Sequence, residues 1–253
     1  MASVTLSKVR GEFARGGIRA VARAIANRPV RWWSAYRELL RYRTFEESCA
    51  LLSYTRALAS GWFNPCQIDL EVCGLLDRVR LLRPRVVLEI GTASGGTLFM
   101  FTRVAAPDAT LISVDLPCGS FGGGYPAWRA PLYRRFALPA QRLHLFRGDS
   151  HAADVVEAVK RVLDDRSVDV LFLDGDHSYE GVKRDHSVYG SLVRKGGIIA
   201  FHDIQAGDDP ATEVPRYWEE IRPVMGGCEL IGDPRQKGYG IGLYRVAGSQ
   251  RAC

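Results

Sequence analysis

The amino-acid sequence predicts an α/β protein with a doubly wound, mostly parallel, seven-stranded sheet and an N-terminal helical extension. Three observations lead there. Five short apolar runs rich in β-branched residues follow residue 84, helix-length amphipathic stretches separate them, and the first run ends in a glycine-bearing turn. Because the runs are continuously apolar rather than alternating, they suit parallel strands covered on both faces.

Taken in order, residues 1–84 read as a helical extension. Val9, Phe13, Ile18, Val21 and Ile25 recur at helical intervals, with Arg15, Arg19 and Arg23 four apart and Gly16–Gly17 as an interruption. Pro29 and the cluster Arg31, Trp32 and Trp33 mark a break before a second helix. Asn64 and Pro65 are expected to open another, as cap and first position. Residues 85–253 then form the catalytic domain. Its strand runs are Val86–Ile90, Thr110–Val114, Leu143–Phe146, Val168–Leu173 and Gly197–Phe201, followed by a helix over Glu213–Ile221. Two last runs, Cys228–Ile231 and Tyr239–Val246, are separated by Gly232, Asp233 and Pro234, spacing that suits an antiparallel hairpin.

Composition narrows the class. With 47% hydrophobic and 25% charged residues in 253, the chain has the balance of an ordinary soluble enzyme. No apolar run is long enough to span a bilayer and no secretory apolar core stands at the N-terminus, so export is not expected and the location predicted is cytoplasmic. The six cysteines form no C-x-x-C pair and read as reduced thiols. Of the net charge of +6, residues 1–43 hold ten Lys or Arg against two acids, leaving the remainder close to neutral. Charge confined to one arm argues against a nucleic-acid partner and fits a homo-oligomer contact or, as a lesser option, a peripheral anionic membrane face.

The chemistry collects at strand ends. The strand ending Leu88, Glu89, Ile90 runs into Gly91-Thr-Ala-Ser-Gly-Gly96 and then an apolar helix; Gly91 allows a tight turn, and Gly95 and Gly96 let a ligand approach the helix N-terminus. The second strand ends at Asp115, about twenty residues on, where a carboxylate accepts from ribose hydroxyls. The third ends at Arg147-Gly-Asp149-Ser150, where Asp149 is placed for an adenine amino group. The fourth ends at Phe172-Leu-Asp-Gly-Asp-His177 and the fifth at His202-Asp203, both beside the crevice where open α/β sheets bind ligands.

These ordered motifs, with Phe121-Gly-Gly-Gly-Tyr125, Phe172–Gly181 and Gly196–Asp203, resemble class I S-adenosylmethionine-dependent methyltransferases. Within that class they are similar to antibiotic-sugar O-methyltransferases and cephalosporin-hydroxylase-like proteins. The resemblance spans roughly 85 to 205 and implies S-adenosylmethionine as cofactor, held by Glu89, Gly91, Thr92, Ser94, Gly95, Asp115, Asp149, Ser150 and Asp174. It further implies a divalent cation, Mg²⁺ or Mn²⁺, at Asp174, His202 and Asp203, with Asp174 and His177 as catalytic residues and His177 as general base. Carboxylates suit Mg²⁺ or Ca²⁺, whereas an imidazole shifts preference toward Mn²⁺, Fe²⁺ or Zn²⁺. The implied reaction is O-methylation of a small-molecule hydroxyl, of sugar or natural-product type.

Lesser features take ordinary roles. Asp176 reads as structural and Ser178 as the cap of the next helix. The glycine-rich stretch 116–126 reads as a mobile lid, with Trp128, Tyr133, Arg134 and Arg135 either lining an acceptor pocket or packing in the core. His144, His151 and His186 are expected at the surface or in the core. Two other readings share the strand-end pattern: a nicotinamide-dependent oxidoreductase, although the turn lacks the middle glycine of that fingerprint, and a methyltransferase-fold binding protein without transfer chemistry.

Overall fold

The computed structural model describes residues 28–119 and 123–247, so the helical periodicity over 9–25 lies outside the described residues. Among the described residues, three α-helices precede the sheet: α1 Arg28–Leu39, α2 Ser48–Ala57 and α3 Asp69–Leu82. Pro29 falls in the first turn of α1, where a missing N–H costs no hydrogen bond. Helix α3 begins at Asp69 and not at Pro65 as the Asn-Pro pair suggested. Tertiary packing overrides that local signal. A Cβ on Gly96 would stand 2.4 Å from the Phe63 carbonyl oxygen, and Ser94 Oγ donates to the Asn64 carbonyl at 2.8 Å, so the connection is pressed against the glycine turn instead of coiling.

The seven strands are β1 Val86–Ile90, β2 Thr110–Asp115, β3 Arg142–Arg147, β4 Val168–Leu173, β5 Val193–His202, β6 Cys228–Leu230 and β7 Ile241–Arg245, in the order β3-β2-β1-β4-β5-β7-β6. The first five pair in parallel; β7 runs antiparallel between β5 and β6, as the terminal hairpin required. Chain order reverses between β1 and β4, which opens a crevice at their carboxyl ends. Register makes those ends level: Ile90 pairs with both Val114 and Leu173, and Leu173 pairs with Phe201.

Between strands lie α4 Gly96–Val104, α5 Ala130–Tyr133, α6 Ala153–Leu163, α7 Tyr179–Gly190 and α8 Val214–Met225. One sheet face, with Val87, Leu111, Phe172 and Ala200, shares a core with Ala35, Leu52, Leu75, Leu98 and Tyr133. The other face, with Leu88, Ile112 and Leu171, packs on Val159, Val182, Tyr189 and Trp218. This double cover explains the continuously apolar strands; β3, at the sheet edge, is only half-buried. His186 fills the second core with its ring nitrogens each 2.6 Å from the hydroxyls of Tyr217 and Tyr244, and burial pulls its imidazole down to about 4. The Sγ atoms of Cys49 and Cys73 meet at 2.8 Å between α2 and α3. No helix of the described residues is long and apolar enough to cross a membrane.

Candidate active site at the carboxyl edge of the sheet

A cavity of about 290 Å³ opens over the carboxyl ends of β1, β2, β3, β4 and β5. Gly91 starts its floor with φ +90, and Gly95 closes the turn with φ +86, both in the left-handed region that side chains avoid. Of the cofactor residues expected from sequence, Gly91, Asp115, Asp149, Ser150 and Asp174 line this cavity. Glu89, Thr92, Ser94 and Gly95 do not. Thr92 pairs its hydroxyl with Ser113 at 2.5 Å, Ser94 is spent on Asn64, and Gly95 faces the ring of Tyr133.

Glu89 lies behind the turn, fully buried, with the hydroxyls of Thr97 and Thr92 beside its carboxyl. Burial pushes its carboxyl up to about 8, against the nearby hydroxyls of Thr97 and Thr92, which favour the anion. It is therefore protonated at neutral pH and supports the turn from beneath.

Asp115 is 3% exposed and ties two loops together. Its Oδ1 accepts from the Thr92 amide at 3.1 Å and its Oδ2 from the Tyr125 amide at 3.0 Å, so the glycine turn and the far end of the 116–126 stretch share one carboxylate. Residues 120–122 of that expected lid lie outside the described residues. Tyr133 is buried in the core with its hydroxyl on the Ala93 carbonyl, and Trp128 packs on Trp62, so neither lines the cavity. Asp149 is half-exposed; its Oδ1 accepts from the His151 amide at 2.8 Å and faces the cavity.

On the other side of the cavity, β4 and β5 deliver the reactive cluster. One carboxylate oxygen of Asp174, one of Asp203 and one imidazole nitrogen of His177 all lie within 4.8 Å of one another, a set able to hold a cation. His177 Nε2 is 3.6 Å from Asp174 Oδ1 and its Nδ1 is 3.5 Å from Asp203 Oδ2. His202, the expected ligand, lies against both carboxylates. Its ring is 4% exposed, and its Nδ1 faces Asp174 Oδ1 at 3.1 Å and Asp203 Oδ2 at 3.3 Å from below, while Nε2 is buried without a partner. It contacts both carboxylates, and His177 meets the same two at the cavity.

Electrostatics follow from this packing. Burial pushes Asp174 up, but the imidazoles of His202 and His177 outweigh it and hold the carboxyl well below the usual carboxylate range. Burial likewise pulls both imidazoles down, and Asp174 more than reverses this: His177 is raised and His202 is held well above its ordinary value. Asp203 has φ +59, a left-handed backbone at a non-glycine residue, which tips its side chain back toward His177. Asp176 serves structure, accepting at Oδ1 from the Ser178 amide and hydroxyl, and Ser178 caps α7 through the Gly181 amide.

Sequence reasoning missed several cavity residues. His151 lines it, with Nε2 3.2 Å from the buried Asp185, whose hydrogen bond raises the imidazole against the effect of burial. Tyr239, exposed and at φ +60 on the approach to β7, stands beside His202. Cys66 contributes from the helical layer, and its neighbour Gln67 donates Nε2 to Asp174 Oδ2 at 2.9 Å. A motif scan confined to strand ends has no signal for residues that arrive from another layer, although the glycines flanking Tyr239 do mark an unusual backbone.

Residues 88–204 match a family model described as a methyltransferase domain. The chain superposes on the O-methyltransferase TomG of Streptomyces achromogenes, involved in tomaymycin synthesis and solved with S-adenosylmethionine, with a TM-score of 0.51 at 18% identity, covering 85% of this chain and 96% of that one. It superposes on an O-methyltransferase of Bacillus cereus, solved with S-adenosylhomocysteine, with a TM-score of 0.50 at 16% identity, covering 84% and 96%. Among curated proteins, y4gI of Sinorhizobium fredii is 29% identical over 171 residues, 64% of this chain and 17% of that one. Protein R132 of Acanthamoeba polyphaga mimivirus is 45% identical over 51 residues, 19% and 23% respectively. The chain thus spans less than a quarter of the length of the curated relatives it matches. The sheet order and these superpositions establish the class I methyltransferase fold.

Proposed function

We propose that the chain, whose residues 88–204 match a methyltransferase-domain model, moves the methyl group of S-adenosylmethionine to a hydroxyl oxygen of a small molecule with the help of a divalent cation. The observation that carries this reading is the meeting of Asp174, His177 and Asp203 in the same cavity as Gly91, Asp115 and Asp149. One half of the cavity has the features of a nucleoside site: a glycine turn at a helix N-terminus, the apolar wall of Val114 and Leu116, and a half-exposed acid after β3. The O-methyltransferases of similar fold from Streptomyces achromogenes and Bacillus cereus were solved with S-adenosylmethionine and S-adenosylhomocysteine, which supports the same cofactor here.

The donor chemistry fits a cation as well. The two carboxylates of Asp174 and Asp203 suit Mg²⁺ or Mn²⁺. When bound, such an ion acidifies a coordinated hydroxyl. Asp174 and Asp203 supply the oxygen ligands, and His202 fixes their orientation from beneath. His177, raised in basicity by Asp174, is left outside the ligand set and receives the acceptor's proton. Asp149 accepts from the adenine amino group. A hydroxyl of sugar or natural-product type is the acceptor that the resemblance of the strand-end motifs implies.

The test is calorimetric titration with S-adenosylhomocysteine, NAD and Mn²⁺, followed by incubation of the protein with labelled S-adenosylmethionine and a metabolite extract. Binding of S-adenosylhomocysteine and Mn²⁺, no binding of NAD, and label recovered as a methyl ether support the reading. NAD binding in place of S-adenosylhomocysteine would sink it.

A further inference from the structure

A buried side chain from outside the strand-end motifs reaches the proposed cation centre. Gln67, 6% exposed, donates Nε2 to Asp174 Oδ2 at 2.9 Å, across 107 residues of sequence. Its backbone is pinned in turn, since Arg56 Nη2 of α2 donates to the Gln67 carbonyl at 3.1 Å and pairs with Asp69, the first residue of α3, at 2.5 Å. Gln67 Oε1 is buried and has no hydrogen-bond partner. Reversing the amide would set Oε1 against a carboxylate oxygen at that same short distance, two acceptors facing each other, so donation from Nε2 is the orientation that chemistry allows.

The Asp174 carboxylate is thereby divided. Oδ2 is taken by Gln67, while Oδ1 faces His202 and His177. A terminal carboxyl rotates freely about its last bond unless something holds it. His202 alone grips one oxygen, and a second hydrogen bond on the other oxygen fixes the plane.

We propose that Gln67 is a positioning residue of the acceptor-activating centre, holding the Asp174 carboxylate so that Oδ1 is presented to the cation, and that the helical layer is in this way a part of that centre. The inference rests on reading Asp174 and Asp203 as a cation site. Hydrogen-bonding partners behind metal ligands set ligand orientation, and their loss weakens metal affinity by about 10- to 100-fold. Gln67 does not line the cavity, and its contact with the centre runs through Asp174.

The experiment uses the full chain with Mn²⁺ as probe, free ion being followed by electron paramagnetic resonance. Gln67→Leu removes the donor at similar volume, and Gln67→Met, which keeps an unbranched chain, replaces it should the leucine variant melt well below the parent. Expected is a 10- to 100-fold weaker Mn²⁺ affinity, with S-adenosylhomocysteine affinity and melting temperature close to the parent. A folded variant that binds Mn²⁺ as tightly as the parent overturns the role of Gln67 and leaves the cation reading standing. A parent protein that binds neither Mn²⁺ nor Mg²⁺ overturns both together.

Discussion

The carbonyl oxygen of Asp174 stands 1.9 Å from where a Cβ on Gly91 would have to lie. Two strand ends therefore approach through a gap that admits no side chain, with Gly91 also at φ +90. Gly91→Ala is expected to cost about 4 kcal/mol or more, since strain at a positive φ adds to a backbone clash that cannot relax. Gly95→Ala meets the ring of Tyr133 at 2.9 Å, and a ring edge shifts more easily than a backbone. Urea denaturation of both variants should rank Gly91→Ala as much the worse; equal costs would contradict the geometry.

Asp115 holds the Thr92 and Tyr125 amides on its two oxygens. Asp115→Ala frees both loops beside the cavity and should weaken S-adenosylhomocysteine binding by about 1 to 3 kcal/mol, the cost of a lost charge-assisted hydrogen bond. Calorimetric titration measures this directly. An unchanged dissociation constant would remove Asp115 from the site.

His177→Ala should lower kcat by about 10²- to 10⁴-fold, the usual contribution of a positioned general base, while S-adenosylhomocysteine affinity is kept. Single-turnover kinetics with an accepted substrate separate the two effects. Near-parental turnover would assign the proton to another group.

For Asp203→Ala the loss should come through the cation. Activity falls, and raising Mn²⁺ or Mg²⁺ concentration restores part of it, because the Asp174 carboxylate still offers a donor. Activity that is indifferent to added metal, in a parent that also survives exhaustive chelation, would exclude cation assistance.

Glu89 gives a pH signature. Its folded carboxyl is raised to about 8 by burial, so between the unfolded value of about 4.3 and that point the folded state holds the extra proton. Stability must then fall as pH rises through this window, by about 1.4 kcal/mol per pH unit at most, and level off above it. Glu89→Gln, neutral at every pH, should lose this slope, so that its melting temperature gains on the parent from pH 5 to pH 8. Parallel curves would mean that Glu89 ionises normally.

The fold was legible because β-branched runs at regular spacing admit few arrangements, and Gly91, Asp115, Asp149, Asp174 and Asp203 were legible because strand ends at a reversal of order face one crevice. Side-chain direction was not. Glu89 and Asp115 occupy neighbouring strand ends, yet Glu89 is sealed behind the turn and Asp115 reaches its surface, a difference set by pleat and by the Thr92 and Tyr125 amides. The depth of His202 was hidden for a similar reason, since alternation along β5 turns it beneath the carboxylates. Gln67 carried no sequence signal, because its meaning arises only when α2 and α3 fold against the sheet.

The core that joins Leu52 and Leu75 of the helical layer to Val87 and Phe172 of the sheet is continuous. It leaves no plane along which residues 88–204 can be parted from what precedes them without baring one whole face of the sheet. Amide protons in α3 and in β1 should consequently exchange in the same global opening, at one shared free energy, rather than as an early-fraying appendage and a late-opening domain. Whatever varies the helical layer, by substitution or by partner, is then felt at the carboxyl edge as a change in the stability of the whole.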